Sequence, residues 1–186
     1  MNMLASRGQL RASFIRWALF IVPLVMLLGF LSGRVAGSGP GNPWFDALVK
    51  PGIYPPPAAF GIVWSILYLM MGVALAMVCA AWGARGRKAA IWAFVVQMAL
   101  NLAWTPVFFA AHQLTGALAV IILLDIAVVI TIMRFWKVRP VAGMLLVPYL
   151  AWILFATALN WQFLELNPDA DGANPSGAVE RVRIGG

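Results

Sequence analysis

The chain is poor in the residues that build covalent or metal-held structure. A single cysteine, Cys79, excludes an intrachain disulfide framework and a cysteine-ligated zinc site. A single histidine, His112, excludes a multi-histidine metal site within one chain. Charge is scarce as well: Asp, Glu, Lys and Arg make up 10% of the 186 residues, where soluble domains carry about 25%. No nucleophile elbow, metal-binding pair or phosphate-cradling glycine loop is present, so hydrolase chemistry has no support. What abounds is hydrocarbon. With 63% hydrophobic residues and a mean hydropathy of +0.89, the composition is that of a membrane protein. The net charge of +7 does not describe a nucleic-acid-binding face, because the basic residues lie in the gaps between apolar stretches.

A helix needs about 20 apolar residues to cross a bilayer, and a backbone in lipid must satisfy its own hydrogen bonds. Five stretches reach that length: Trp17–Ala36, Phe60–Trp82, Ala89–Ala110, Thr115–Trp136 and Val141–Leu164. The expected fold class is an all-α membrane protein, a five-transmembrane-helix bundle with a long, partly ordered loop between the first two spans. A basic arm at 1–14 precedes the membrane domain, 15–165, and a disordered Gly/Pro/Asp-rich tail at 166–186 follows it. Arg7, Arg11, Arg16, Arg85, Arg87, Lys88, Arg134, Lys137 and Arg139 fall on the N-terminal side, against Arg34, Lys50, Arg181 and Arg183 on the other. In a plasma or inner membrane this asymmetry predicts a cytoplasmic N-terminus and an external C-terminus; an outer membrane is the alternative address. The first span also has the outline of a signal peptide, but no new topology signal follows it, which favours a retained span.

The first connection, residues 37–59, reads GSGPGNPWFDALVKPGIYPPPAA. It is too polar and proline-rich for lipid, yet it carries Trp44, Phe45, Leu48, Ile53 and Tyr54. Proline restricts it to extended and turn forms, and loops of this length are usually functional. It is expected to cap one mouth of the bundle rather than to float as an interfacial aromatic belt.

Three spans carry aromatic and polar residues at helical spacing. Gln97, Asn101 and Trp104 share one face; so do Tyr149, Trp152, Ala156 and Asn160, and so do Phe60, Trp64 and Tyr68. Amides in hydrocarbon need partners, so these faces point inward. From the pattern two readings stand open: interhelical hydrogen bonding that binds nothing, which is slightly favoured, or the wall of a ligand pocket. Asp125, in the middle of the fourth span, has no basic residue at matching depth. It is expected either to be protonated against an amide such as Asn101 or to face a polar pocket, and a lone acid makes no proton pathway. Small residues recur at four-residue spacing in Gly29, Gly33 and Gly37 and in Ala99 and Ala103, which permits close helix approach within a chain or across a dimer.

The segments WFDALVKPGIYPPPAAFGIVWSILYLMMG, QMALNLAWTPVFF and LLVPYLAWILFATALN, in that order, resemble the signature segments of the TspO/MBR family (tryptophan-rich sensory protein, translocator protein, peripheral-type benzodiazepine receptor). The resemblance covers about residues 15–165. It implies a five-helix bundle, commonly a homodimer, that takes protoporphyrin IX or haem as a ligand and requires no cofactor. Members also bind isoquinoline-carboxamide and benzodiazepine-type drugs, and animal members bind cholesterol. The implied site lies between the helices under the first loop, with Trp44, Trp64, Tyr68, Gln97, Asn101, Trp104, Asp125, Tyr149, Trp152, Ala156 and Asn160 as ligand-binding candidates. Lys50, Pro51, Tyr54, Pro55 and Pro56 would form the lid. Some bacterial relatives are reported to degrade protoporphyrin IX in light, which gives Trp64 and Trp152 a catalytic role if that reaction occurs here. The implied partners are a flat hydrophobic ligand, the bilayer and a second copy docked through Gly29, Gly33, Ala99 and Ala103, with no nucleic acid. Two departures stand out. Ile53 replaces a tryptophan usual in the loop, and the fifth span ends LNWQFLELN, without the tyrosine and basic residue of the sterol-recognition pattern. The resemblance turns the open choice at Gln97–Phe109 toward a pocket wall, with interhelical bonding secondary. The first functional reading is a tetrapyrrole-binding sensor or regulator; a light-dependent porphyrin-degrading enzyme, a porphyrin transporter and a purely structural subunit are the alternatives.

Overall fold

The computed structural model describes residues 7–172, and every regular element among them is helical. α1 covers Arg7–Val35, α2 Pro43–Ala47, α3 Pro57–Cys79, α4 Arg87–Phe109, α5 Leu114–Val138, α6 Pro140–Met144 and α7 Val147–Leu166, with one 3-10 turn at Pro168–Ala170. α1, α3, α4, α5 and the α6–α7 pair are each long and apolar enough to span a membrane. The chain is a multi-pass membrane protein in a lipid bilayer, with the five spans expected from hydropathy.

Three boundaries differ from expectation. α1 starts at Arg7, so the described part of the basic arm is helix; its 29 residues make a rod about 43 Å long, longer than the ~30 Å hydrocarbon core. The fifth span is interrupted at Leu145–Leu146. Pro148 has no N–H to return to the preceding turn, and its ring crowds the carbonyl there, so α6 ends and α7 restarts. The tail begins in place: Asn167 Oδ1 accepts from Val49 N at 2.7 Å, its Nδ2 donates to Val49 O at 3.0 Å, and Gly172 N donates to His112 O at 2.8 Å. The rest of the tail, 173–186, and residues 1–6 lie outside the described residues.

The spans close a ring: α1 packs on α3 and α4, α4 on α5, α5 on α6 and α7, and α3 on α6 and α7. The outward faces remain apolar, as with Leu19 (73% exposed) and Ile62 (63% exposed). Lipid tails are as apolar as leucine, so helix association relies on close packing and hydrogen bonds rather than on water expulsion. Small residues supply the closeness. A Cβ on Gly72 would lie 2.8 Å from the Val22 Cα, and one on Gly29 would lie 2.2 Å from Tyr68 Cε2. Gly29, expected on a dimer face, therefore seats a ring of its own chain. Ala99 and Ala103 are exposed on α4.

The Gly72 contact gives a stability prediction. Alanine gains up to ~1 kcal/mol of helix propensity, but here it meets backbone that cannot rotate away, an overpacking cost of about 1–3 kcal/mol. Gly72→Ala should lower the thermal midpoint in detergent, whereas Gly61→Ala, where a Cβ meets nothing within 4 Å, should not.

Candidate ligand cavity beneath the first loop

The first loop is built as a plug. Asn42 caps α2 by accepting from Phe45 N at 3.1 Å, and its Nδ2 donates to Gly37 O and Phe109 O, both at 3.2 Å. That fixes Trp44 and Phe45, which are buried. Trp44 stacks on the His112 ring at 4.6 Å and donates its indole N–H to Ala170 O at 3.3 Å. Phe45 sits among Tyr54, Phe108, Phe109 and Phe163 at centroid separations of 5.1–6.3 Å. Edge and tilted aromatic pairs of this kind add about 0.5–1.5 kcal/mol each beyond burial. Lys50 turns back on the loop, donating to the carbonyls of Phe45 and Leu48 with its ammonium 4.3 Å from the Phe45 ring centroid. Burial lowers the Lys50 ammonium below its ordinary value, against the Asp46 carboxylate. Burial and then Asp46 raise the Tyr54 phenol, which stays a neutral donor.

Beneath this plug lies a cavity of about 1060 Å³ bordered by all five spans. α3 contributes Trp64 and Tyr68, α4 Asn101 and Trp104, α7 Trp152, Ala156 and Asn160, and the loop Trp44 and Tyr54. Trp64 stacks on Tyr68 at 5.1 Å, so the wall offers broad aromatic faces.

Its amides are already bonded. Tyr68 OH donates to Asn101 Oδ1 at 3.1 Å; Asn101 Nδ2 donates to Tyr149 OH at 2.9 Å; Tyr149 OH donates to Gln97 Oε1 at 3.1 Å. A second relay runs from Trp104 Nε1 to Asn160 Oδ1 at 3.1 Å and from Asn160 Nδ2 to Leu114 O at 3.0 Å. Asn101 and Asn160 thus border the cavity and tie helices together at once, so the interhelical bonds that the spacing suggested are made on the cavity wall. Gln97 and Tyr149, completely buried, do not line the cavity but stand behind Asn101 and orient it. The buried indole N–H of Trp152 and the Gln97 Nε2 have no hydrogen-bond partner among the described residues.

Asp125 is placed differently from either expectation. It does not border the cavity and does not reach Asn101; its Oδ2 accepts from Thr157 Oγ1 at 2.8 Å, across α5 and α7. Lys50, Pro51, Pro55 and Pro56 also stay off the cavity wall. Pro51 is buried in the plug and Pro56 caps α3, so these residues shape the loop instead of facing a ligand.

Several lining residues escaped the sequence reading. Among the described residues Arg34 is the only cation on the wall and no carboxylate shares it; His112 sits beside Trp44, with a positive φ of 56°. Gly29, Phe30, Gly33 and Arg34 on α1 border the cavity together with Gly37 in the turn that follows the helix, so the glycine spacing carried a signal that read equally well as a helix–helix contact.

Comparison with known proteins agrees with this architecture. The TspO/MBR family model matches residues 20–166. The chain is 38% identical over 148 residues to the tryptophan-rich protein TspO of Chlorobaculum tepidum, covering 79% of this chain and 93% of the relative. It is 38% identical over 136 residues to the human translocator protein (72% and 80%) and 36% identical over 156 residues to the tryptophan-rich sensory protein of Cereibacter sphaeroides (81% and 92%). With the five-span bundle, the plugged cavity and these matches taken together, the chain belongs to the TspO/MBR family.

Proposed function

We propose that this protein is a membrane receptor for tetrapyrroles, with protoporphyrin IX or haem held between the helices under the first loop, and that it acts as a sensor or regulator. The observation that carries the reading is the aromatic cavity of about 1060 Å³ with Arg34 as the one cation on its wall among the described residues. Drug-sized ligands occupy pockets of about 300–1000 Å³, so a flat macrocycle is accommodated without unfolding the bundle. Trp64, Tyr68, Trp104 and Trp152 supply ring faces, Arg34 attracts a ligand carboxylate, and the unpartnered Trp152 N–H is a donor for a ligand acceptor. Because Asn101 and Asn160 are committed to other helices, they set the shape of the wall more than they address the ligand. The sensory name borne by the Cereibacter sphaeroides relative favours regulation. A homodimer through the exposed Ala99 and Ala103 face of α4, and a cytoplasmic N-terminus, belong to the same proposal.

A second reading, light-driven porphyrin degradation, has its own support in Trp64 and Trp152 bordering one cavity. One experiment addresses both. Tryptophan quenching by protoporphyrin IX should saturate in the dark, and Arg34→Gln should weaken it about tenfold, the worth of one partly desolvated charge-assisted contact. Unsaturable quenching shared by both proteins would mean simple partitioning into detergent. New absorbance bands on illumination, lost in Trp152→Phe, would make the protein an enzyme.

A further inference from the structure

At the opposite end of the bundle from the cavity, Ser13, Arg16, Trp17 and Phe20 share one face of α1 and border a groove of about 420 Å³ with Trp82 from the α3–α4 turn. We propose that this groove holds an anionic phospholipid, its phosphate on Arg16 and its acyl chain along Trp17 and Phe20.

Four observations converge. First, the depth is right. Trp17 lies 6.4 Å from Trp82, level with the turn where α3 ends and α4 begins, so α1 residues before 17 project past the hydrocarbon boundary. The groove then runs from a polar end, Ser13 and Arg16, to an apolar end, Phe20, in the sense that a lipid molecule presents at an interface.

Second, Trp82 is fixed although it is 67% exposed. The Arg87 guanidinium lies 4.2 Å from its ring centroid and is itself held by donation to Cys79 O at 2.8 Å and Val78 O at 3.3 Å. An indole anchored this way forms a preset wall, and ordering it again on binding costs little.

Third, the cations have different commitments. Arg87 is spent on the carbonyls that close α3, whereas Arg16 is exposed and has no ion-pair partner among the described residues. Segments 7–16, 80–88 and 134–140, which lie at this end, contain nine basic residues and no Asp or Glu.

Fourth, charge complementarity selects among lipids. A zwitterionic headgroup brings its own cation into this field, while an anionic one brings none. Each Lys or Arg near a membrane surface is worth about fivefold in affinity for anionic lipid, and the shaped groove should concentrate that preference on Arg16.

The test is native mass spectrometry of the full-length protein, released from detergent after addition of phosphatidylglycerol or phosphatidylcholine. Phosphatidylglycerol adducts should outnumber phosphatidylcholine adducts, and Arg16→Gln should cut them about fivefold. Arg134→Gln, an exposed cation at the same end but outside the groove, should leave them nearly unchanged. Trp82→Ala, which keeps every charge, should also reduce retention, and helical circular dichroism of each variant establishes that it is folded. Equal retention of both lipids, or equal losses in Arg16→Gln and Arg134→Gln, would overturn the proposal by reducing it to diffuse surface charge. Displacement of the lipid by millimolar inorganic phosphate would overturn it in favour of a free-anion site, and dimeric ions with no lipid adduct would assign the groove to a second copy.

Discussion

Ala156→Phe should raise the dissociation constant for protoporphyrin IX by about 100-fold or more, roughly 3 kcal/mol, while leaving the bundle nearly as stable. Ala156 lies on α7 one turn from both Trp152 and Asn160, and all three border the cavity. A phenyl ring placed there extends into space that a ligand needs and not into packed core, so the overpacking cost that follows small-to-large changes in a filled interior does not arise. The thermal midpoint of the unliganded protein should shift by no more than a few degrees, and ligand-induced stabilisation should disappear. The measurement pair is quenching titration and thermal unfolding in the same detergent. Binding that survives Ala156→Phe would put the ligand somewhere other than this cavity, and the proposed function would fall with it.

Asn101→Leu should damage both binding and stability. Its amide oxygen accepts a hydrogen bond from the Tyr68 hydroxyl and its amide nitrogen donates to Tyr149, joining α3, α4 and α7 through one side chain. Leucine of similar volume removes both bonds. Tyr149 keeps Gln97 as an acceptor, but the buried Tyr68 hydroxyl loses its partner. Leaving such a donor unpaired costs about 1–3 kcal/mol, more than the ~0.6 kcal/mol average for a hydrogen bond between membrane helices. Tyr68 also stacks on Trp64 and lies over Gly29, so its release disturbs the cavity wall. We expect a lower thermal midpoint together with about tenfold weaker porphyrin binding. The double variant Tyr68→Phe/Asn101→Leu, which removes the stranded hydroxyl, should regain part of the stability. Absence of that recovery would show that the relay contributes little.

These two residues show how much was legible in advance. The spacing of Gln97, Asn101 and Trp104 put them on one inward face, and the structure keeps them there, yet Asn101 and Trp104 border the cavity while Gln97 stands behind it. One helical turn separates Gln97 from Asn101, and periodicity gives direction around a helix without giving depth along the neighbouring helices. Asp125 makes the same point. Its place in a span demanded a polar partner, but the choice of Thr157 over Asn101 depended on the rotation of α5 against α7. Gly29 and Gly33 announced close approach, and only the position of Tyr68 identified Gly29's neighbour as a side chain of the same molecule.

The number of spans, the helical class and the ordered character of the first loop follow from local chemistry. Twenty apolar residues without hydrogen-bonding solvent must form helix, and a proline-rich aromatic loop can be neither lipid-soluble helix nor random coil. The cavity could not follow in that way. It exists because five helices meet around small residues and leave a gap under the plug, and its wall draws Arg34, His112, Trp64, Trp104 and Trp152 from separate parts of the chain. Which of those side chains face each other depends on helix rotation and offset, quantities that only packing between distant segments determines.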